Sequence, residues 1–213
     1  MLQCATSLWS ADLTHLAAEI KRVEPYSERF HIDVADGHYV GTLLFFPDLV
    51  KAMRKCTDRP FEVHLMTTDP LRWVEPFVDA GADSIIFFLD AADNPAEVIR
   101  SVQARQKRVG ISLRIEDSLD LLEPYWDQLD TLTIIGTAIG IKGAGLDESV
   151  PGKIQRARSI IDSRGLRAEI EADGGIRRHT VPLLHDAGAD LIVPGSLMFG
   201  EDPPAMRAWL NDL

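Results

Sequence analysis

Eight short runs rich in β-branched and aromatic residues recur along this 213-residue chain, separated by longer stretches of helical patterning. The predicted strands cover residues 2–7, 29–34, 61–66, 84–88, 109–113, 132–136, 168–173 and 191–195. Between them apolar residues fall at three- and four-residue spacing, as at Leu13, Leu16, Ala17 and Ile20, or at Leu49, Ala52 and Met53. Punctuation agrees with the pattern. Asp69-Pro70 opens a helix and Gly81 stops it, and the same Ala-Gly-Ala-Asp close recurs at 187–190, each time just ahead of an apolar strand. Residues 204–210 read as the last helix. Strands joined by helical crossovers lie parallel in one sheet. Eight of them predict an α/β chain closed into a (β/α)8 TIM barrel, a single domain over residues 1–213. The competing open, doubly wound sheet normally carries a Gly-rich turn after its first strand, and here that place reads SLWSADL.

Such a barrel places its active-site groups at the C-terminal ends of the strands. Four residues with nitrogen or oxygen ligand atoms fall there, His31, Asp33, His64 and Asp173, in the runs FHIDV, FEVHL and AEIEAD. His31 and Asp33 are two apart, so on a strand they share a face. Taken singly, either histidine reads equally well as a core residue bonded to a carbonyl. The carboxylates are harder to place in a core, because an unpaired buried charge is costly. Together the four form the donor set of a divalent cation, most naturally zinc, with manganese, cobalt or ferrous iron as alternatives.

A second constellation concerns phosphate. Asp173-Gly174-Gly175 closes the seventh strand, and Gly195-Ser196 follows the eighth. In barrels of this class the loops after these two strands commonly hold phosphate on backbone N–H groups. Gly140 and Gly143, after strand six, could add donors. A cation, two carboxylates and a phosphate cradle suit a phosphorylated ketose: the cation stabilises an enediolate, while one carboxylate removes the α-proton and the other returns one to the opposite face.

Composition narrows the partners. Lys+Arg 22 against Asp+Glu 33 gives a net charge of −11, which argues against nucleic acid and against an anionic membrane surface. Two cysteines, Cys4 and Cys56, stand in no metal-binding spacing and imply a reducing compartment. With no apolar leader at the N-terminus and no span-length apolar stretch, a cytoplasmic location is the expectation.

These motifs resemble the ribulose-phosphate 3-epimerases, including their relatives that act on allulose 6-phosphate, over nearly the whole chain. TSLWSADL looks like that family's first-strand segment, with Ser7 as a substrate contact. HIDVADGHYV is similar to its second-strand motif, which would make His31 a metal ligand and Asp33 a catalytic aspartate. EVHLM matches the third, giving His64 as ligand and Met66 as a pocket methionine. EADGGI would supply Asp173 as the second catalytic aspartate and metal ligand, and GSLMFG the closing phosphate turn. The resemblance implies the ribulose-phosphate-binding type of barrel, an isomerase of carbohydrate metabolism with a ribulose 5-phosphate/xylulose 5-phosphate type of substrate, and a homo-oligomer.

Departures cluster around the pocket. Ala35 stands where methionine is usual, strand six lacks its methionine, and Gly41-Thr42 replaces a Pro-Asn. Ala138-Ile139-Gly140-Ile141-Lys142-Gly143 replaces a run of Asn-Pro-Gly-Phe-Gly-Gly, Phe88 stands for a common histidine, and Arg114 for an asparagine. Arg114 and Lys142 therefore become candidate specificity residues that would meet a second polar or anionic group; if they only point outward, water solvates them. A 3-epimerase of another ketose phosphate such as allulose 6-phosphate, or a non-catalytic barrel that binds a sugar phosphate, are the alternatives. Metal-free phosphate barrels with a lysine inside fit less well, since no predicted strand carries an internal lysine.

Overall fold

The computed structural model describes residues 2–141 and 143–213, so Lys142, one of the two candidate specificity residues, lies outside the described residues. The strands are β1 (Gln3–Ser7), β2 (Arg29–Ala35), β3 (Phe61–Met66), β4 (Ser84–Phe88), β5 (Arg108–Leu113), β6 (Thr131–Ile135), β7 (Glu169–Asp173) and β8 (Leu191–Val193). Each pairs in parallel with the next, and β8 returns to β1, closing the barrel that the alternation predicts. The helices are α1 (Leu16–Val23), α2 (Pro47–Arg54), α3 (Pro70–Ala80), α4 (Pro95–Ala104), α5 (Val150–Arg164), α6 (Val181–Asp186), α7 (Ser196–Phe199) and α8 (Pro203–Asn211).

Local chemistry explains the boundaries. The Asp69 side chain accepts from the Arg72 backbone N–H at 3.3 Å, Pro70 occupies the first turn, and Gly81 ends α3 at φ +109°. The alternation has one interruption. Between β5 and β6 only two short 3₁₀ turns form, Leu119–Leu122 and Trp126–Gln128, because Pro124 falls between them and breaks any longer helix. Strand β8 is also two residues shorter than expected, since Pro194 cannot donate to a ladder.

Period-two alternation divides each strand between two environments. On β2, Phe30, Ile32 and Val34 join the apolar layer between sheet and helices, while Arg29, His31 and Asp33 face the barrel axis. Inside, Ala5, Leu191 and Val193 form one small apolar cluster. Ala35, Val40, Met66, Phe88 and Ile135 form another toward the mouth. Apart from Ile86 and Gly110, the rest of the interior is polar, and that polarity builds the site. Among the described residues no helix is long and apolar enough to cross a membrane.

Candidate metal centre and substrate cavity

His31, Asp33, His64 and Asp173 come from three strands, yet register brings them together. Asp33 pairs with His64 across β2 and β3, and Asp173 closes β7, separated from β2 by β8 and β1. One ligand atom from each of the four lies within 4.8 Å of every other. His31 Nε2 is 3.2 Å from His64 Nδ1, 3.5 Å from Asp33 Oδ1 and 3.8 Å from Asp173 Oδ2. His64 Nδ1 is 3.6 Å from the same Asp173 oxygen.

The outward-turned nitrogens are already engaged. His31 Nδ1 donates to Glu62 Oε1 at 3.0 Å, and His64 Nε2 lies 2.8 Å from Ser112 Oγ. Each ring thus has one nitrogen left for the common centre. Ser7 Oγ donates to Asp33 Oδ2 at 2.8 Å, which leaves Asp33 Oδ1 facing the histidines. Phe88 stacks on His64 with ring centroids 5.0 Å apart. Two nitrogens and two carboxylate oxygens, with His31, His64 and Asp33 each fixed by an outer partner, fit a borderline cation such as zinc.

The protonation states express the same crowding. Burial pushes the Asp173 carboxyl up to about 7, and pushes His64 down to about 3 with the charge on His31 adding to the effect. Burial opposes a proton on His31 as well, but Asp33, Glu62 and Glu171 outweigh it and hold its value well above the ordinary one. Burial also works against charge on Asp33, and His31 overcomes it, keeping that carboxyl below its usual value.

Above this cluster opens a cavity of about 420 Å³. Ser7, Asp33, His64, Met66 and Asp173 form its floor. Gly174, Gly175, Gly195 and Ser196 line one wall, and Ile139, Gly140 and Gly143 the other. The structure therefore gathers every described residue of the expected catalytic, ligand and phosphate sets around one cavity, with His31 buried just beneath it. Arg114 is not among the lining residues. Its guanidinium pairs with Asp90 at 3.0 Å, donates to Tyr39 Oη at 3.2 Å and lies 5.9 Å from the Phe88 ring centroid.

Four groups escaped the reading of the sequence. Glu62, Glu171 and Ser112 lie beneath or beside the ligands, and Arg177 lines the cavity next to Gly175. The signal for two of them was available: Glu62 stands two residues before His64 and Glu171 two before Asp173, the spacing that singled out His31 and Asp33.

The glycine wall is required by geometry. Gly175 adopts φ +71°, and a Cβ there would lie 2.7 Å from both Cα and N of Leu146. Backbone cannot rotate aside as a side chain can. The left-handed conformation alone costs an L-residue about 1–2 kcal/mol. Gly175→Ala is therefore expected to lower Tm by at least ~2–8 °C for a chain of this size. A thermal melt checks this, and an unchanged Tm would show that the loop re-forms freely.

Comparison with known proteins agrees with the geometry. A profile of the ribulose-phosphate 3 epimerase family matches residues 3–199. The ribulose-phosphate 3-epimerase of Mycobacterium bovis is 36 % identical over 204 residues, which are 94 % of this chain and 87 % of that protein. The Bacillus subtilis ribulose-phosphate 3-epimerase is 34 % identical over 203 residues, 94 % of each chain. Among solved structures, 3-keto-L-gulonate-6-phosphate decarboxylase from Vibrio cholerae superposes with a TM-score of 0.72 at 17 % identity, covering 100 % of this chain and 95 % of the other. The 3-hexulose-6-phosphate synthase from Salmonella typhimurium superposes at 0.69 and 18 %, covering 100 % and 97 %. At that identity the likeness is one of fold. The family profile and the curated relatives go further: the chain belongs to the ribulose-phosphate 3-epimerase family, carbohydrate epimerases of the isomerase class.

Proposed function

We propose that this protein inverts C3 of a ketose phosphate of the ribulose 5-phosphate/xylulose 5-phosphate type, with a divalent metal, zinc before manganese, cobalt or ferrous iron, held by His31, Asp33, His64 and Asp173. The observation that carries this reading is the convergence of two carboxylates from separate strands of the barrel, β2 and β7, onto one histidine pair at the floor of a cavity. When bound, the metal supplies Lewis-acid charge for an enediolate.

The chain's own residues do the rest. The phosphate settles against the wall formed by Gly174, Gly175, Gly195 and Ser196, where glycine lets backbone N–H groups approach an anion. That fixes the far end of the sugar and carries C3 to the floor. One aspartate removes the C3 proton as a carboxylate, and the other, protonated, delivers its proton to the opposite face. The two then exchange roles for the reverse reaction. Ser7 holds Asp33 to one orientation through Oδ2, leaving Oδ1 toward the centre. Met66, Phe88 and Ile135 keep water from the face where the carbanion forms. Arg114 acts on this wall indirectly, by holding Tyr39 and Asp90 against Phe88.

Incubation with ribulose 5-phosphate and with allulose 6-phosphate in deuterated water tests the reading. Deuterium is expected at C3 of ribulose 5-phosphate with formation of its epimer, read by NMR. Exchange with allulose 6-phosphate alone would move the assignment to the longer sugar. No exchange with either, in zinc-loaded protein, would make the barrel a binding protein.

A further inference from the structure

Glu62 sits on the inner face of β3, two residues before His64, and pairs in register with His31 on β2. Its side chain is fully buried, and both carboxylate oxygens are engaged. Oε1 accepts from His31 Nδ1 at 3.0 Å and Oε2 from Arg29 Nη1 at 3.2 Å. Arg29 is anchored in turn, its Nη2 donating to Glu169 Oε2 at 3.1 Å. The carboxylate therefore cannot swing without breaking a chain of buried ion pairs.

A carboxylate can only accept, so the nitrogen that faces it carries hydrogen. Nδ1–H against Glu62 leaves His31 Nε2 for the centre formed with His64, Asp33 and Asp173. Glu171 is the competing carboxylate. Its Oε1 is 3.8 Å from the same Nδ1, too far for a hydrogen bond, and it accepts from Thr133 Oγ1 at 3.0 Å instead. The neighbouring guanidinium of Arg29 supplies positive charge to this lower layer, where His31, Glu62 and Glu171 also converge.

We infer that Glu62 is a positioning residue: clamped between Arg29 and His31, it fixes the tautomer and ring plane of His31 and so presents Nε2 to the divalent cation. This rests on the metal site proposed above. Glu62→Gln separates it from a merely structural role. The amide keeps the shape but has a single oxygen. Arg29 can only donate, so it takes that oxygen and turns the NH2 group toward His31. A donor facing Nδ1 favours the other tautomer, whose Nε2–H blocks the cation.

Calorimetric titration of metal-free protein with zinc is expected to show about a 10- to 100-fold loss of affinity in Glu62→Gln. Nitrogen NMR of histidine-labelled protein, recorded at alkaline pH where His31 is neutral, should show His31 switching from the Nδ1–H to the Nε2–H form. Adding Arg29→Met to Glu62→Gln frees the amide to turn its oxygen to His31, so the double variant should regain most of the lost affinity, although it removes a buried guanidinium. Wild-type protein that binds no zinc overturns the metal reading and this inference with it. Wild-type binding with an unaffected Glu62→Gln overturns this inference alone. Equal losses in the single and double variants would also overturn it, since tautomer control predicts recovery and lost packing does not.

Discussion

Asp173→Asn is expected to lower the rate of epimerisation about 10²–10⁴-fold, the range for removing a positioned acid–base group, and Asp33→Asn is expected to do the same. At about 1.36 kcal/mol per tenfold this corresponds to ~3–5 kcal/mol of transition-state stabilisation. Asparagine preserves the size of each side chain and one oxygen, so the cavity floor keeps its shape. It cannot take up or release a proton. Because both aspartates also belong to the proposed metal site, zinc content has to be measured in each variant and the rates compared at equal occupancy. A sharper readout follows from the geometry. Asp33 and Asp173 approach the centre from β2 and β7, so in the proposed mechanism each would serve one face of the sugar. With one carboxylate left, the protein should still exchange the C3 proton of the epimer that presents its hydrogen to that side, without inverting it. The two variants are then expected to favour opposite epimers in deuterium exchange. Exchange of the same epimer by both would defeat the two-carboxylate arrangement.

The fold was legible because its signals are local. Alternating strands and helices, the Asp69-Pro70 start and the Gly81 stop each act within a few residues, and each lies where the periodicity predicts. The β5–β6 connection was less legible, since Leu119, Leu121 and Leu122 give apolar spacing while Pro124 limits the helix it could form. The cavity floor was legible for a related reason. A charged or imidazole side chain at the end of an apolar strand is costly unless something uses it, and His31, Asp33, His64 and Asp173 all stand out by that rule. Glu62 and Glu171 obey the same rule and the same two-residue spacing. Their role, however, depends on which residue lies across the ladder, and the pairing of Glu62 with His31 is set by β2–β3 register. Arg114 was visible as a departure. Its ion pair with Asp90 and its bond to Tyr39 join loops 24 and 75 residues away, a relation that no local pattern carries.

Zinc at a thousand times its dissociation constant is expected to stabilise the protein by about 4 kcal/mol, which for a chain of this length raises Tm by ~8–16 °C. The size of that rise should depend on pH, and the direction follows from the buried groups. In the metal-free fold, Asp173 is pushed by burial from 3.8 up to about 7, and Glu171 is likewise raised, by burial and by Glu62. The unfolded chain releases these protons at lower pH than the folded one, so their contribution to stability falls as pH rises from about 4 toward 7. His31 is raised above its ordinary 6.5 by Asp33, Glu62 and Glu171 against the opposing effect of burial. Its contribution is full below that value and is lost as pH rises through the folded-state value. Asp33, held below its ordinary value by His31 against burial, has the opposite sign, but its contribution disappears only on acidification below 3.8. His64, pushed down to about 3 by burial and by His31, also has the opposite sign and offsets these losses up to its ordinary 6.5. The metal-free protein is thus expected to weaken from about pH 6.5 to 8. Metal binding has the reverse dependence, since His31 Nε2 and Asp173 must be deprotonated to bind a cation. The zinc-induced rise in Tm is therefore expected to grow from pH 5 to 8, and a chelator should be most destabilising at the alkaline end. Melting curves with zinc and with chelator at several pH values check both statements. A rise that shrinks with pH would mean that the cation binds somewhere other than these four residues.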